Sequence, residues 1–180
     1  AVAFFVDRMR AGLERDAHQL MGADLLVSSD APARAEWRLE AERRGLVLAD
    51  TVVFPSMAQA GEGEQSHSQL ASIKAVSPGY PLRGRMKLST DTGDATQGIG
   101  EAADGIPEPG TVWIDPALTT TMQVKVGDTM RLGDGRFRIA RLIAAEPDRG
   151  PNFVNFAPRV MMPLSQLQST GLTDFGSRAT

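Results

Sequence analysis

The sequence contains no cysteine. That excludes disulfide frameworks, thiolate nucleophiles, cysteine-ligated zinc and iron–sulfur clusters. It leaves the compartment open, because a cysteine-free chain suits any redox environment. Histidine is nearly absent: His18 and His67 are the only two, too few for a three-histidine metal site. Lysine is scarce, three residues against sixteen arginines among the 19 basic ones. Together with abundant alanine this reads as GC-rich coding rather than a functional signature. An excess of positive charge is missing too. A net charge of −3 and a pI near 5.4 disfavour nucleic acid as the main partner, since a phosphate-backbone binder needs a basic surface. No apolar run approaches the ~18 residues that would span a bilayer as a helix. No basic segment precedes the first apolar stretch, Ala1–Val6, so that stretch is not a signal peptide.

What is present is ordinary globular material. Hydrophobic residues make up 42% and charged residues 23% of the 180, so the chain as a whole is not disordered. A chain of this length buries roughly 70% of its unfolded surface, enough for a true core. The apolar start at Ala1 and the strand-like end at Gly176–Thr180 suggest a piece of a longer protein.

Residues 2–20 carry a helical period. Phe5, Met9, Leu13 and Ala17 recur every fourth position, widened by Val2, Val6 and Leu20, with Arg8, Arg10, Glu14 and Arg15 on the other face. Such a helix would be about 28 Å long. The period alone fits both a helix docked on the core and a stalk leaving a bilayer. Gly22 ends it, and Ala23–Ser29 reads as a strand. Asp30-Ala31-Pro32 opens a second helix, stopped near Gly45. Leu46-Val47-Leu48 is β-rich, and residues 51–76 read as a hairpin turning at 61–66. Pro55 must then lie at an edge or bulge, because it cannot donate to a ladder. After the break at Ser77–Pro81, Arg85–Ser89 alternates like a strand and residues 90–110 read as a long exposed loop. Thr111–Ile114 is a strand, and Asp115-Pro116 starts a short helix. Thr129–Leu132 and Phe137–Ile143 form a hairpin about Gly133-Asp134-Gly135. Val160–Met162 is a strand, followed by a short helix that Gly171 stops.

No constellation carries catalysis. There is no Walker-type phosphate loop, and Gly98-Ile99-Gly100 with Ala103 lacks the preceding strand that would give a dinucleotide fingerprint its meaning. There is no Gly-x-Ser-x-Gly elbow. Ser66-His67-Ser68 offers a base beside hydroxyls, but neighbours in a turn seldom reach triad geometry. Asp91, Asp94 and Asp104 lack calcium-loop spacing. Asp128, Asp134 and Asp148 read as turn residues. Arg136 and Arg138 alternate with Phe137 and Ile139 as the polar face of a strand, so they make no anion patch. Thus no catalytic, cofactor-binding or metal-ligating residue is expected. The open question is apolar exposure: Met57 beside Pro55, and Phe153 and Phe156 between Pro151 and Pro158, fit either a contact surface for lipid or partner or caps on the core.

The stretch Asp115-Pro116-Ala117-Leu118, Val124 to Gly133 and Phe137 to Ala140 resembles the extracytoplasmic core domain of MacB/FtsX-type ABC transporter permeases. Gly22-Ala23-Asp24-Leu25, Phe54–Met57, Lys74-Ala75-Val76, Tyr80–Gly84, Glu146–Gly150, Ala157–Val160, Thr170-Gly171-Leu172 and Gly176-Ser177-Arg178 resemble the YbbP-like branch. Residues 61–67 and 90–106 depart from the pattern. The resemblance implies an α+β MacB-like periplasmic core domain. Residues 1–21 become a stalk continuing a transmembrane helix, with Phe4, Phe5, Met9 and Leu13 as its mechanical link. Residues 22–80 and 151–180 become a porter-like β-α-β-β part, and 81–150 an inserted β-rich, sabre-like part. It implies a non-enzymatic module of a bacterial inner-membrane permease, this segment periplasmic, that couples ATP hydrolysis on a separate cytoplasmic subunit to export or extraction of hydrophobic compounds. Implied partners are that ATPase, a second permease copy, a hydrophobic substrate and a periplasmic esterase/lysophospholipase. The rival readings are a periplasmic hydrolase or its accessory subunit, and an assembly module that recruits a periplasmic hydrolase and transports nothing.

Overall fold

The organising element is the hairpin of β1 (Thr51–Ala60) and β2 (His67–Val76). It pairs in unbroken register from Thr51 opposite Val76 to Ala60 opposite His67. The computed structural model describes residues 21–29, 33–61, 63, 66–149 and 157–172. Among the described residues before the hairpin stands helix α1 (Ala35–Arg43). After it come β3 (Met86–Ser89), α2 (Thr92–Thr96), β4 (Glu101–Ala103), β5 (Thr111–Ile114) and α3 (Ala117–Thr121). Then follow β6 (Thr129–Leu132), β7 (Gly135–Ala145), β8 (Arg159–Pro163) and two 3₁₀ turns, 164–166 and 168–170.

Six strands close on themselves. β8 runs parallel to β2 and antiparallel to β5; β5 runs parallel to β7; β6 pairs with both β7 and β1. The ring is therefore β7-β5-β8-β2-β1-β6 and back to β7. Closure leaves few free edges, the liability of open sheets. β7 has eleven residues, long enough to hand over partners: β6 holds its first half, and β3 with β4 extends from its second.

Strand periodicity fills the ring. Phe54 and Ala58 of β1, Ile73 of β2, Val112 and Ile114 of β5, Met130 and Leu132 of β6, and Val160 and Met162 of β8 share one buried cluster. Leu118 and Met122, from α3 and just beyond it, join them. In β7 the phase changes: Phe137 and Ile139 point inward, then Leu142 does. The register slips there, Val112 facing Ile139 but Trp113 facing Arg141. One extra residue restores the inward phase, as a bulge does. On the outer face Trp113, Met161, Met86, Leu88, Ile143, Val76 and Tyr80 form a second cluster, which β3 covers.

Most expected elements are found. Pro55 is tolerated because β6 reaches only Ala58–Ala60, leaving β1 single-partnered at that position. Asp115 caps α3, its carboxylate accepting from the Ala117 N–H at 3.0 Å. The two-residue turn between β6 and β7 needs Gly133: φ is +56°, and a Cβ there would stand 2.1 Å from the Thr170 carbonyl oxygen.

Three expectations need correction. Ala23–Ser29 is not a strand, and Leu46–Leu48 joins no ladder. Both segments have apolar composition, yet no ladder partner reaches them among the described residues. Leu25, Leu26, Val27 and Val47 are each more than 60% exposed. Residues 90–110 are not one loop. Asp91 caps α2 through the Asp94 N–H, and β4 pairs with β3. The proposed N-terminal helix at 2–20, with Phe4, Phe5, Met9 and Leu13, lies outside the described residues. No helix among the described residues is long and apolar enough to cross a membrane.

Candidate functional site

Lys74 sits in the middle of a buried strand. Its neighbours Ile73, Ala75 and Val76 are fully covered, and Lys74 itself is 3% exposed. It points to the outer face, away from the ring interior, because it alternates with Ile73 and Ala75. An ammonium there would be prohibitively desolvated unless paired. It is paired three ways: its Nζ donates to the Tyr80 hydroxyl at 2.7 Å, to Glu146 Oε1 at 2.9 Å and to Asp148 at 2.8 Å. The same Nζ lies 4.5 Å from the Tyr80 ring centroid.

Arg159, at the start of β8, completes the cluster. It is 2% exposed, donates from Nε to Glu146 Oε2 at 3.0 Å and hydrogen-bonds Ser72. The Tyr80 hydroxyl donates to Asp148 Oδ1. Two buried cations therefore face two carboxylates, and among the described residues no buried side-chain polar atom lacks a partner. Burial opposes ionisation of Glu146, but Lys74 and Arg159 outweigh it and hold its carboxyl below the ordinary glutamate range. Burial drives the Tyr80 hydroxyl far above the ordinary phenol range, reinforced by the negative charge of Asp148 and Glu146.

The periphery ties further segments in. Arg149 pairs with Asp115 at 2.8 Å, and the Asp115 N–H donates to the Arg159 carbonyl. Gly22 packs its backbone against Asp148: a Cβ on Gly22 would lie 3.2 Å from that of Asp148. The Gly22 carbonyl accepts from the Arg83 N–H at 2.8 Å, and Arg83 grips Asp24 with two bonds, 2.8 and 2.6 Å. Segments far apart in sequence thus converge: 22–24, 72–83, 115, 146–149 and 159.

Sequence reasoning missed this cluster. Asp148 reads as a turn residue, and Lys74, Tyr80, Glu146 and Arg159 received no role. One signal was available: a lysine inside an apolar strand, in a chain with only three lysines. Of the residues singled out for apolar contact, Met57 lies on β1 opposite Leu70, and the two are 45% and 49% exposed. Phe153 and Phe156 lie outside the described residues. His67 opens β2, about 23 Å along the strand from Lys74. Gly100 is explained by packing, since a Cβ there would meet the Leu88 carbonyl oxygen at 2.6 Å. No group of three or more acidic or histidine residues able to hold a metal occurs among the described residues.

No protein-family model matches the chain. Over 175 residues, 97% of its length, it is 34% identical to the uncharacterized ABC transporter permease YbbP of Escherichia coli (strain K12). The chain is homologous to a segment of an ABC transporter permease. That segment is a fifth of the permease: the chain spans 20% of the relative it matches. Among solved structures it is similar to the extracellular domain of the noncanonic ABC-type transporter YknZ from Gram-positive bacteria. There the identity is 10%, the TM-score 0.47, and 84% of this chain and 71% of that one are covered. It is also similar to the periplasmic region of MacB from Actinobacillus actinomycetemcomitans, at 17% identity and a TM-score of 0.39, over 73% of this chain and 54% of that one. Likenesses of that degree carry no further argument.

Proposed function

We propose that this chain is the extracytoplasmic domain of an inner-membrane ABC transporter permease. It couples ATP hydrolysis on a separate cytoplasmic subunit to export or extraction of hydrophobic compounds, and is not itself an enzyme. The observation that carries this reading is the 34% identity to a permease over 97% of the chain. Residues 1–21 act as the stalk that continues a transmembrane helix, with Phe4, Phe5, Met9 and Leu13 as the mechanical link. The two-part organisation is supported by strand order. β1, β2 and β8, from 22–80 and 151–180, stand side by side as a porter-like arc, and β3 to β7, from 81–150, supply a sabre-like remainder. The working assembly contains the ATPase and a second permease copy, with a periplasmic esterase/lysophospholipase as an accessory partner.

The test is reconstitution of the full-length permease with its ATPase in nanodiscs. Added lysophospholipid is expected to stimulate ATP hydrolysis, and Leu13→Pro to abolish that stimulation while the domain stays folded. An ATPase indifferent to lysophospholipid and to other long-chain amphiphiles overturns the transport reading and leaves the assembly role. Stimulation that survives Leu13→Pro overturns the stalk role.

A further inference from the structure

Between its anchors at Gly22-Ala23 and at Ala49-Asp50, the described part of residues 21–50 is thinly attached to the strand ring. α1 buries none of its residues, and Leu25, Leu26 and Val27 are exposed. Yet at the start of this segment Gly22 and Ala23 are buried. There the attachment is dense and polar. The Arg83 guanidinium holds both carboxylate oxygens of Asp24, the Arg83 N–H holds the Gly22 carbonyl, and the Gly22 backbone rests on Asp148. Asp148 is bonded to Lys74 of β2, and Lys74 through Glu146 to Arg159 of β8. Arg83 follows Tyr80 by three residues, and the Tyr80 hydroxyl lies between Lys74 and Asp148.

We propose that Asp24 and Arg83, seated beside the Lys74–Glu146–Asp148–Arg159 cluster, are the joint that fixes the course of residues 22–24 against the strand ring, and with it the direction given to the stalk proposed at residues 1–21. The geometry of the pair favours position over stability. Both side chains are more than half exposed, Arg83 at 56% and Asp24 at 57%, and exposed ion pairs contribute little to folding. A bidentate guanidinium–carboxylate contact nevertheless fixes relative orientation, which a single ammonium contact does not. Behind it, the buried cluster cannot shift piecemeal, because moving one member leaves another charge unpaired in a desolvated site. A displacement of residues 22–24 therefore reaches β2 and β8 through the Gly22–Asp148 packing contact and the hydrogen-bonded cluster behind it. This joint gives the proposed mechanical coupling a place to act, and it rests on that reading only for its purpose; the geometry can be tested without it.

The experiment is double electron–electron resonance on the full-length permease in nanodiscs, with spin labels at Glu14→Cys and Lys125→Cys in one copy. The parent is expected to show a narrow distance distribution. Arg83→Ala and Asp24→Ala are each expected to broaden it roughly twofold, through loss of local order. The melting temperature should stay within about 2 °C, as expected of an exposed pair. The charge swap Asp24→Arg with Arg83→Asp is expected to narrow the distribution again, which a merely structural loss would not do. A broad parent distribution, or alanine variants indistinguishable from the parent, overturns the joint. Adding ATP and vanadate separates the two proposals. A narrow distribution broadened by the alanine variants but unmoved by nucleotide keeps the joint and removes the mechanical coupling.

Discussion

Replacing Lys74 by methionine removes one positive charge from the buried cluster while keeping the length and apolar stem of the side chain. The perturbation is therefore electrostatic and leaves no large cavity. In the native chain two cations face two carboxylates. In the variant Glu146, whose side chain is fully buried, keeps its pair with Arg159, while Asp148, whose side chain is 18% exposed, loses its pair with Lys74. Tyr80 loses its donor and keeps only its bond to Asp148. Breaking a buried pair by removing one partner costs about 3–5 kcal/mol, most of it the desolvation of the charge left behind. For a domain of this size each kcal/mol moves the melting temperature by about 2–4 °C, so a fall of roughly 6–20 °C is expected. The assay is urea and thermal unfolding of the 180-residue chain followed by circular dichroism. Adding Asp148→Asn to Lys74→Met restores charge balance. The double variant is then expected to be more stable than the sum of the single losses by about 1–3 kcal/mol. A loss below about 1 kcal/mol for Lys74→Met, or strict additivity in the double variant, refutes the claim that these charges form one desolvated unit.

The remaining predictions use the same site and one turn. Because Lys74 and Arg159 overcome the burial cost and lower the Glu146 carboxyl below its unfolded value of about 4.3, the stability it contributes is present above that pH. It drains away as pH falls through the lowered value, so unfolding free energy should drop below about pH 4, with a shallower acid limb in Glu146→Gln. Tyr80 is the only tyrosine, so tyrosinate absorbance reports it alone. Its raised value means stability is intact below about pH 10 and lost above it; ionisation should coincide with alkaline unfolding, and a native titration near 10 would refute its burial. Gly133→Ala must accept φ +56° and a Cβ against the Thr170 carbonyl. It should lose at least about 1–3 kcal/mol by chemical denaturation, and an unchanged midpoint would remove the steric argument.

Local signals in the sequence carried most of the secondary structure. The hairpin 51–76, the caps at Asp115 and the turn at Gly133-Asp134 are written in alternation, capping side chains and glycine, all within a few residues. The failures come where apolar composition has no partner. Ala23–Ser29 has the residues of a strand, but strand formation depends on a neighbour that composition does not name. Ring closure was illegible for a related reason, since β6 meets β1 across seventy residues and the pairing of β2 with β8 spans about ninety. The charge cluster was the least legible of all. Its members look like turn acids and scattered basics until the fold sets Lys74 against Asp148, 74 positions away.

That long reach bears on why so costly an arrangement exists. The apolar interior needs no charges to cohere, since every ring strand already contributes to one buried cluster. A cluster of four charges, three of them buried, adds little net stability over an apolar filling of the same shape. What they add is mutual dependence. Lys74 is tolerable only once 146–148 has arrived, Glu146 only once Arg159 of β8 is seated, and Asp148 is the surface against which Gly22 packs. An apolar plug would fill the same space but would leave the direction of the chain at residues 22–24 free to vary, because dispersion is not directional. Hydrogen-bonded charges impose angles. At Gly22–Asp24, where Arg83 and Asp148 hold the chain, the fold sets its charge cluster behind the contact, so the course of those residues is fixed by angles rather than by bulk.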